Sequence, residues 1–314
     1  MKKYDWEAEL GFSRDEEFDA SAESIKQGYC RWSVADNGVF LPANQTIQSV
    51  PPGFYEIDKS QSIGLYFKLI KTGNEDLIKF DDTYCDEVVE DIKKFWTLKD
   101  GYKSIGQAYK RGMLFIGVPG GGKSSAIKLI VRDLVNSGGI AIKFQHPDYF
   151  KDGLAALRRI EPDRQVVVLM EDIDGLLDDF SESDILNILD GVTNYENIVF
   201  IATTNHPDKL LGSVTNRPSR FDRVFEFKAP NENTRRIYLS HLNKKFLENN
   251  KEDSGLDIEK MVKETESLTI AHLKELFISV AIFKYKYEDC LRKLVKMADP
   301  IKMDDGIREK KVGF

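Results

Sequence analysis

Cysteine is scarce in this chain: three residues in 314, Cys30, Cys85 and Cys290, with no two close enough to form Cys-x-x-Cys. That excludes a disulfide framework and a thiolate zinc pattern, and it fits reduced thiols. Long apolar runs are also missing. None approaches the ~20 residues that a membrane span needs, so no membrane segment is expected. The opening MKKYDWEAEL is charged and has no apolar stretch, so no signal peptide is expected and the expected compartment is cytoplasmic. An excess of positive charge is absent too. The net charge of -7 argues against broad binding to a phosphate backbone, and no helix-turn-helix or aromatic-basic groove pattern is present, so nucleic acid is not an expected partner. Internal repeats and low-complexity segments are lacking. What remains is an ordinary globular composition, 41% apolar and 31% charged, in a chain long enough for two or three domains.

The pattern along the chain changes twice. In residues 29–75, CRWSVAD and VFLP flank Asn37-Gly38 as two strands flank a hairpin turn, and GFYEI and IGLYFKLI form a second pair beyond Pro51-Pro52. This predicts a small β-rich N-terminal domain over residues 1–78. Residues 79–228 then alternate apolar strand and helix. The strands are MLFIG, IAIKF, VVVLM, IVFIATT and VFEF, with helices over SSAIKLIVRDLVNS, GLAALRRI and SDILNILDGV. That alternation predicts a parallel sheet covered on both faces. Ala229-Pro230-Asn231 breaks the pattern. Residues 229–298 read as helical throughout, a separate small α-domain, and residues 299–314 form a polar tail.

Gly117-Val118-Pro119-Gly120-Gly121-Gly122-Lys123-Ser124, followed by Ser125, fits G-x-x-x-x-G-K-[ST] between a strand and a helix. Glycines let backbone N–H groups turn onto phosphate oxygens, Lys123 adds a point charge, and the Ser124 hydroxyl suits Mg²⁺. The strand VVVLM ends in adjacent carboxylates, Glu171 and Asp172. At the carboxyl edge of such a sheet one carboxylate can hold Mg²⁺ and a second can orient water; the alternative is a solvated strand end. Asn205 ends the next strand, where its amide can fix the water or sense a γ-phosphate, or form an Asx turn into His206-Pro207. Asn216-Arg217-Pro218-Ser219-Arg220-Phe221-Asp222-Arg223 holds three arginines; Arg217 and Arg220 either present guanidinium groups to a phosphate or carry surface charge.

KRGMLFIGVPGGGKSS, VVVLMEDIDG, ILNILDGV, IATTNHPDKL and NRPSRFDR, in that order, resemble the AAA ATPases over about residues 80–298. The Glu-Asp order resembles the branch that includes the mitochondrial Rieske-protein translocase. The resemblance implies an αβα P-loop core with a helical lid, an ATPase using ATP and Mg²⁺, and a homo-oligomeric ring, most often a hexamer. It implies that Glu171 stands where the magnesium Asp is usual, Asp172 where the catalytic Glu is, and Asn205 at the first sensor. Arg217 and Arg220 match the two arginines that act across a subunit boundary. Phe80-Asp81-Asp82-Thr83-Tyr84 resembles the adenine-contact segment, with Asp82 and Tyr84 its site residues, and His241 and Ile270-Ala271 match residues beneath base and ribose. Val118 and Gly121 depart from the usual Pro and Thr. HPDYFKDG lacks the aromatic-x-Gly spacing of a threading loop, so Tyr149 and Phe150 read equally as pore or core residues. The leading expectation is a ring that remodels an unknown protein partner. The alternatives are a DNA-associated motor or loader, and a nucleotide-gated scaffold slowed by the shorter Asp172 arm.

Overall fold

The computed structural model describes residues 31–35, 39–43, 47–61, 64–70, 78, 84–190, 196–210, 220–250 and 254–298. The chain divides into two compact units, Met1–Val50 and Pro51–Phe314. In the first, β1 (Arg31–Ala35) and β2 (Val39–Ala43) pair antiparallel, with Ala35 opposite Val39. The expected Asn37-Gly38 turn lies outside the described residues.

The second unit is built on a seven-stranded sheet. Its strands are β3 (Gly53–Ser60), β4 (Gly64–Leu69), β5 (Lys110–Gly117), β6 (Ile140–Lys143), β7 (Val166–Met170), β8 (Ile198–Thr204) and β9 (Arg223–Phe227). Their order is β4-β3-β6-β7-β8-β5-β9, and every pairing except β3–β4 is parallel. The central strands β7 and β8 are buried at every position. That explains their unbroken apolar sequences, since a strand covered on both faces has no solvent side on which to alternate.

Helices cover both faces. On one, α1 (Cys85–Phe95) and α3 (Lys123–Asn136) bury Val88, Ile92, Ile130 and Leu134 against Phe115, Val167 and Ile201. A short α2 (Lys99–Ser104) follows α1. On the other face, α4 (Pro147–Ile160) sets Phe150 against Phe200, the strand neighbour of Val199 and Ile201 that points the opposite way. Two further helices, α5 (Ile173–Asp179) and α6 (Glu182–Asp190), follow β7.

The second strand pair departs from the sequence expectation. β3 and β4 do not belong to an N-terminal domain; they extend the main sheet, with β3 running parallel to β6 from Gly53↔Ile140 to Glu56↔Lys143. The cause is burial. Without β3, β6 would be an open edge. Tyr55 and Ile57 alternate inward on β3 and are 4% and 3% exposed. Gly153 on α4 meets Ile57 so closely that an added Cβ would stand 2.6 Å from Ile57 Cγ2.

Past Pro230 the described elements are all helical: α7 (Glu232–Asn249), α8 (Ile258–Glu264), α9 (Ile270–Phe277), a π-helical turn (Ile278–Ile282) and α10 (Tyr287–Ala298). These pack a hydrophobic cluster of their own, including Leu239, Val262, Leu273, Leu276 and Leu294. Asn231 and Asp257 cap α7 and α8 by accepting from Thr234 N–H (2.8 Å) and Lys260 N–H (3.0 Å). Each such cap contributes about 1 kcal/mol. Buried Arg235 donates to Pro230 O (2.9 Å) and Val262 O (3.1 Å), tying α7 to α8. Among the described residues no helix is long and apolar enough to cross a membrane.

Candidate active site

The loop after β5 and the start of α3 form one wall of a cleft of about 550 Å³; Glu171, Asp172, Thr203 and Asn205 line its floor, and α7 and α9 close the far side. The cleft therefore lies at the carboxyl ends of β5, β7 and β8, where open α/β sheets bind ligands. Its volume falls within the usual range for small-molecule sites.

Pro119, Gly120, Gly122, Lys123, Ser124 and Ser125 all line it. Gly120 has φ +73°, and a Cβ there would stand 2.6 Å from Thr269 Oγ1 and 2.8 Å from Ala271 Cβ. Only glycine satisfies both constraints, so the loop can touch the start of α9 directly. Gly121 lies behind this surface, its N–H donating to Val118 O at 3.1 Å. Lys123 opens α3 and is 7% exposed. Its ammonium donates to Gly117 O (2.6 Å), Asn205 Oδ1 (2.7 Å) and Val118 O (3.1 Å). Burial pulls its pKa below the usual lysine value, against the pull of Asp172 and Asp174.

The two carboxylates are held differently. Glu171 is half-buried, lines the cleft and makes no hydrogen bond or ion pair with any described residue. Asp172 is exposed and adopts a left-handed backbone, φ 49° and ψ 57°. Its N–H donates to Thr203 Oγ1 (3.0 Å), its C=O accepts from Gly175 N–H (2.8 Å), and its Oδ1 accepts from Asn205 Nδ2 (3.3 Å). Asn205 thus bridges the loop lysine and the second carboxylate. Two residues on, Asp174 Oδ1 accepts from the Thr204 hydroxyl at 2.7 Å. Sequence reasoning passed over Thr203, Thr204 and Asp174, although their signal was present as hydroxyls and a third acid beside the strand ends.

On the lid side, His241 and Ala271 line the cleft. So do Ile78, Tyr238, Leu242, Lys245, Ile270 and Lys274, of which only Ile270 had been singled out. The spacing of Tyr238, His241, Leu242 and Lys245 was legible as one helical face.

Two expectations are corrected. Tyr84 does not reach the cleft; its ring packs on Phe225 (5.3 Å) and Phe227 (5.7 Å), where an aromatic gains more from core burial than from a solvent-facing ligand contact. Arg220, expected to present its guanidinium to a phosphate or to carry surface charge, is instead buried within its own chain. It is 5% exposed and pairs with Asp190 through Nε–Oδ1 (2.8 Å) and Nη2–Oδ2 (2.7 Å). Asp222 anchors the same stretch to β5, its Oδ2 accepting from Gly112 N–H and its N–H donating to Gly112 O, both at 2.9 Å. Asp82 and Arg217 lie outside the described residues. Of the two candidate pore aromatics, Phe150 is core, packed on Phe144 at 5.2 Å, while Tyr149 stacks on His146 at 4.4 Å.

The donor set fits a nucleotide polyphosphate with its Mg²⁺. The left-handed Gly120, a lysine at the helix start and the Ser124 hydroxyl suit phosphate and metal, and the Glu171 carboxylate lines the same cleft without a partner among the described residues. Among the described residues no three acid, imidazole or thiol groups form a metal cage by themselves.

Residues 113–229 match the model of the ATPase family associated with various cellular activities (AAA). The chain is 26% identical over 240 residues to the ATP-dependent zinc metalloprotease FtsH 2 of Thermoanaerobacter sp. (strain X514), covering 67% of this chain and 46% of that protein. It is 32% identical over 154 residues to the mitochondrial chaperone BCS1 of Homo sapiens, covering 44% of this chain and 36% of that protein. It is 31% identical over 158 residues to the probable mitochondrial chaperone BCS1-A of Dictyostelium discoideum, covering 45% and 37%. In each comparison the matched region is less than half of the relative's length.

Proposed function

From an AAA family ATPase domain whose phosphate loop, carboxylates and lid enclose one cleft, we propose that this chain binds MgATP there, hydrolyses it and uses the cycle to remodel a protein partner. The observation that carries the reading is the convergence of Lys123, Ser124, Glu171, Asp172 and Asn205, from three strand ends, on that cleft. Backbone N–H groups of Gly120 and of Gly122 through Ser125, with the Lys123 ammonium, hold the phosphates. Ser124 and Glu171 hold Mg²⁺, which when bound offsets charge on the phosphate oxygens. Asp172 accepts the proton of the attacking water, and Asn205 fixes that water beside it. Tyr238, Leu242 and Ile270 supply apolar surface for the base, with His241 and Ala271 beside the ribose.

Assembly into a ring, most simply a hexamer, supplies the remaining charge. Arg217 of one subunit faces the phosphate of the next, while Arg220 braces the loop that carries it. Residues 229–298 act as a lid that transmits nucleotide state through the Gly120–Ala271 contact. We place partner recognition in the unit Met1–Val50 and the protein in a reducing, cytoplasm-like compartment, to which the buried cysteines Cys85 and Cys290 are suited.

The test is Asp172→Asn, assayed for ATP binding and for phosphate release. Binding is expected to persist while release falls by ~10²-fold or more, the scale for loss of a general base. Normal release in this variant, with loss in Glu171→Gln, reverses the two carboxylate roles.

A further inference from the structure

Lys123 has three N–H donors, and three acceptors within the chain take them: two backbone carbonyls of its own loop and the side chain of Asn205. A phosphate oxygen gains Nζ only by displacing one of these acceptors. The carbonyls of Gly117 and Val118 are fixed by the loop, which closes on itself through Gly121 N–H to Val118 O. Asn205 is different. It stands just past the end of β8, half-buried, and its amide rotates about side-chain bonds. It is the acceptor that yields.

We propose that Asn205 is a positioning residue that competes with the nucleotide for Lys123, and so sets affinity for any nucleotide with a β-phosphate before a γ-phosphate is involved. The amide holds the ammonium through Oδ1 and leans on Asp172 through Nδ2, so cation and carboxylate are joined through one side chain. When a β-phosphate takes Nζ, Oδ1 loses a charge-assisted partner and the amide turns away. The same movement that admits the phosphates thereby frees Asn205 to order groups beside Asp172. The inference rests on the nucleotide reading of the cleft and adds a role that acts through Lys123, separate from any contact with water or a γ-phosphate.

The test uses the full-length protein and two substitutions with opposite expected effects on ADP, with AMP as the ligand that lacks the β-phosphate. Asn205→Ala removes the competing acceptor, so ADP binding should tighten roughly tenfold, in line with the worth of one hydrogen bond to a charged group. Asn205→Asp puts a carboxylate on Lys123, so ADP binding should weaken by a similar factor or more. AMP affinity should stay within about twofold in both, and thermal melting should confirm that both variants fold. A merely structural Asn205 would move AMP and ADP together. The inference is overturned if Asn205→Ala leaves ADP affinity unchanged or weakens it. If the folded wild-type protein binds neither ADP nor ATP, the nucleotide reading falls as well, an outcome distinct from a failure at Asn205 alone.

Discussion

Asp172 sits at φ 49°, a left-handed backbone that costs most L-residues roughly 1–2 kcal/mol and that Asp and Asn tolerate best. Its short side chain still reaches Asn205, and its backbone closes the first turn of α5. The Glu-Asp order thus has a local physical cause: the residue that opens α5 must be left-handed, and the shorter acid suits it. A longer arm is not an automatic repair. Asp172→Glu is expected to raise the phosphate-release rate no more than about twofold. It should also lower thermal stability by about 0.5–1 kcal/mol, the lesser tolerance of Glu for this conformation. Steady-state turnover and a melting curve measure both. Faster turnover with an unchanged melting point would show that arm length, not backbone conformation, chose the residue.

Among the elements, the stretch from Arg220 to Asp222 is held at both ends within the chain. Arg220 is clamped to Asp190 at the end of α6, while Asp222 is clamped to Gly112 on β5. The Asp190 side chain is 23% exposed, so the pair falls between a surface bridge and a fully buried one. Arg220→Ala should therefore destabilise by about 1–3 kcal/mol, read from chemical unfolding. Arg217→Ala should leave stability within ~0.5 kcal/mol. An Arg220→Ala protein of unchanged stability would return Arg220 to the list of phosphate contacts. The motif was legible in the sequence; the partner of Arg220 was not, because the choice between a phosphate and Asp190 depends on a helix end 30 residues away. β3 and β4 carry the same lesson. Their alternation revealed strands, yet pairing in parallel with β6 joins residues far apart in the chain, Gly53 with Ile140 to Glu56 with Lys143, which no local pattern encodes. By contrast, VVVLM and IVFIATT were readable to the residue, because total burial leaves its mark as an unbroken apolar run. The phosphate loop was readable because its glycines answer to local geometry. The lid side of the cleft was read only in part: His241 and Ala271 stood out, but Lys245 and Lys274 read as ordinary surface lysines until helix packing sets them along the cleft.

At the scale of the whole molecule, the cleft joins two packing systems. The sheet positions Lys123, Glu171, Asp172 and Asn205; the helices beyond Pro230, with their own core, position His241 and Ala271. In the proposed ring, with Arg220 paired to Asp190 within its own chain, Arg217 is the arginine assigned to a neighbour's site. The claim of a shared site is tested most directly by mixing two variants, each defective in a different half: Asp172→Asn, which keeps Arg217, and Arg217→Ala, which keeps the carboxylates. Each alone should release phosphate at a small fraction of the wild-type rate. In mixed assemblies, an intact cleft meets an intact arginine at some of the boundaries. The account predicts that phosphate release per protomer recovers on mixing and rises to a maximum near equal proportions. Arg217→Ala protein with full activity on its own, or mixtures that co-assemble and recover nothing, would contradict it.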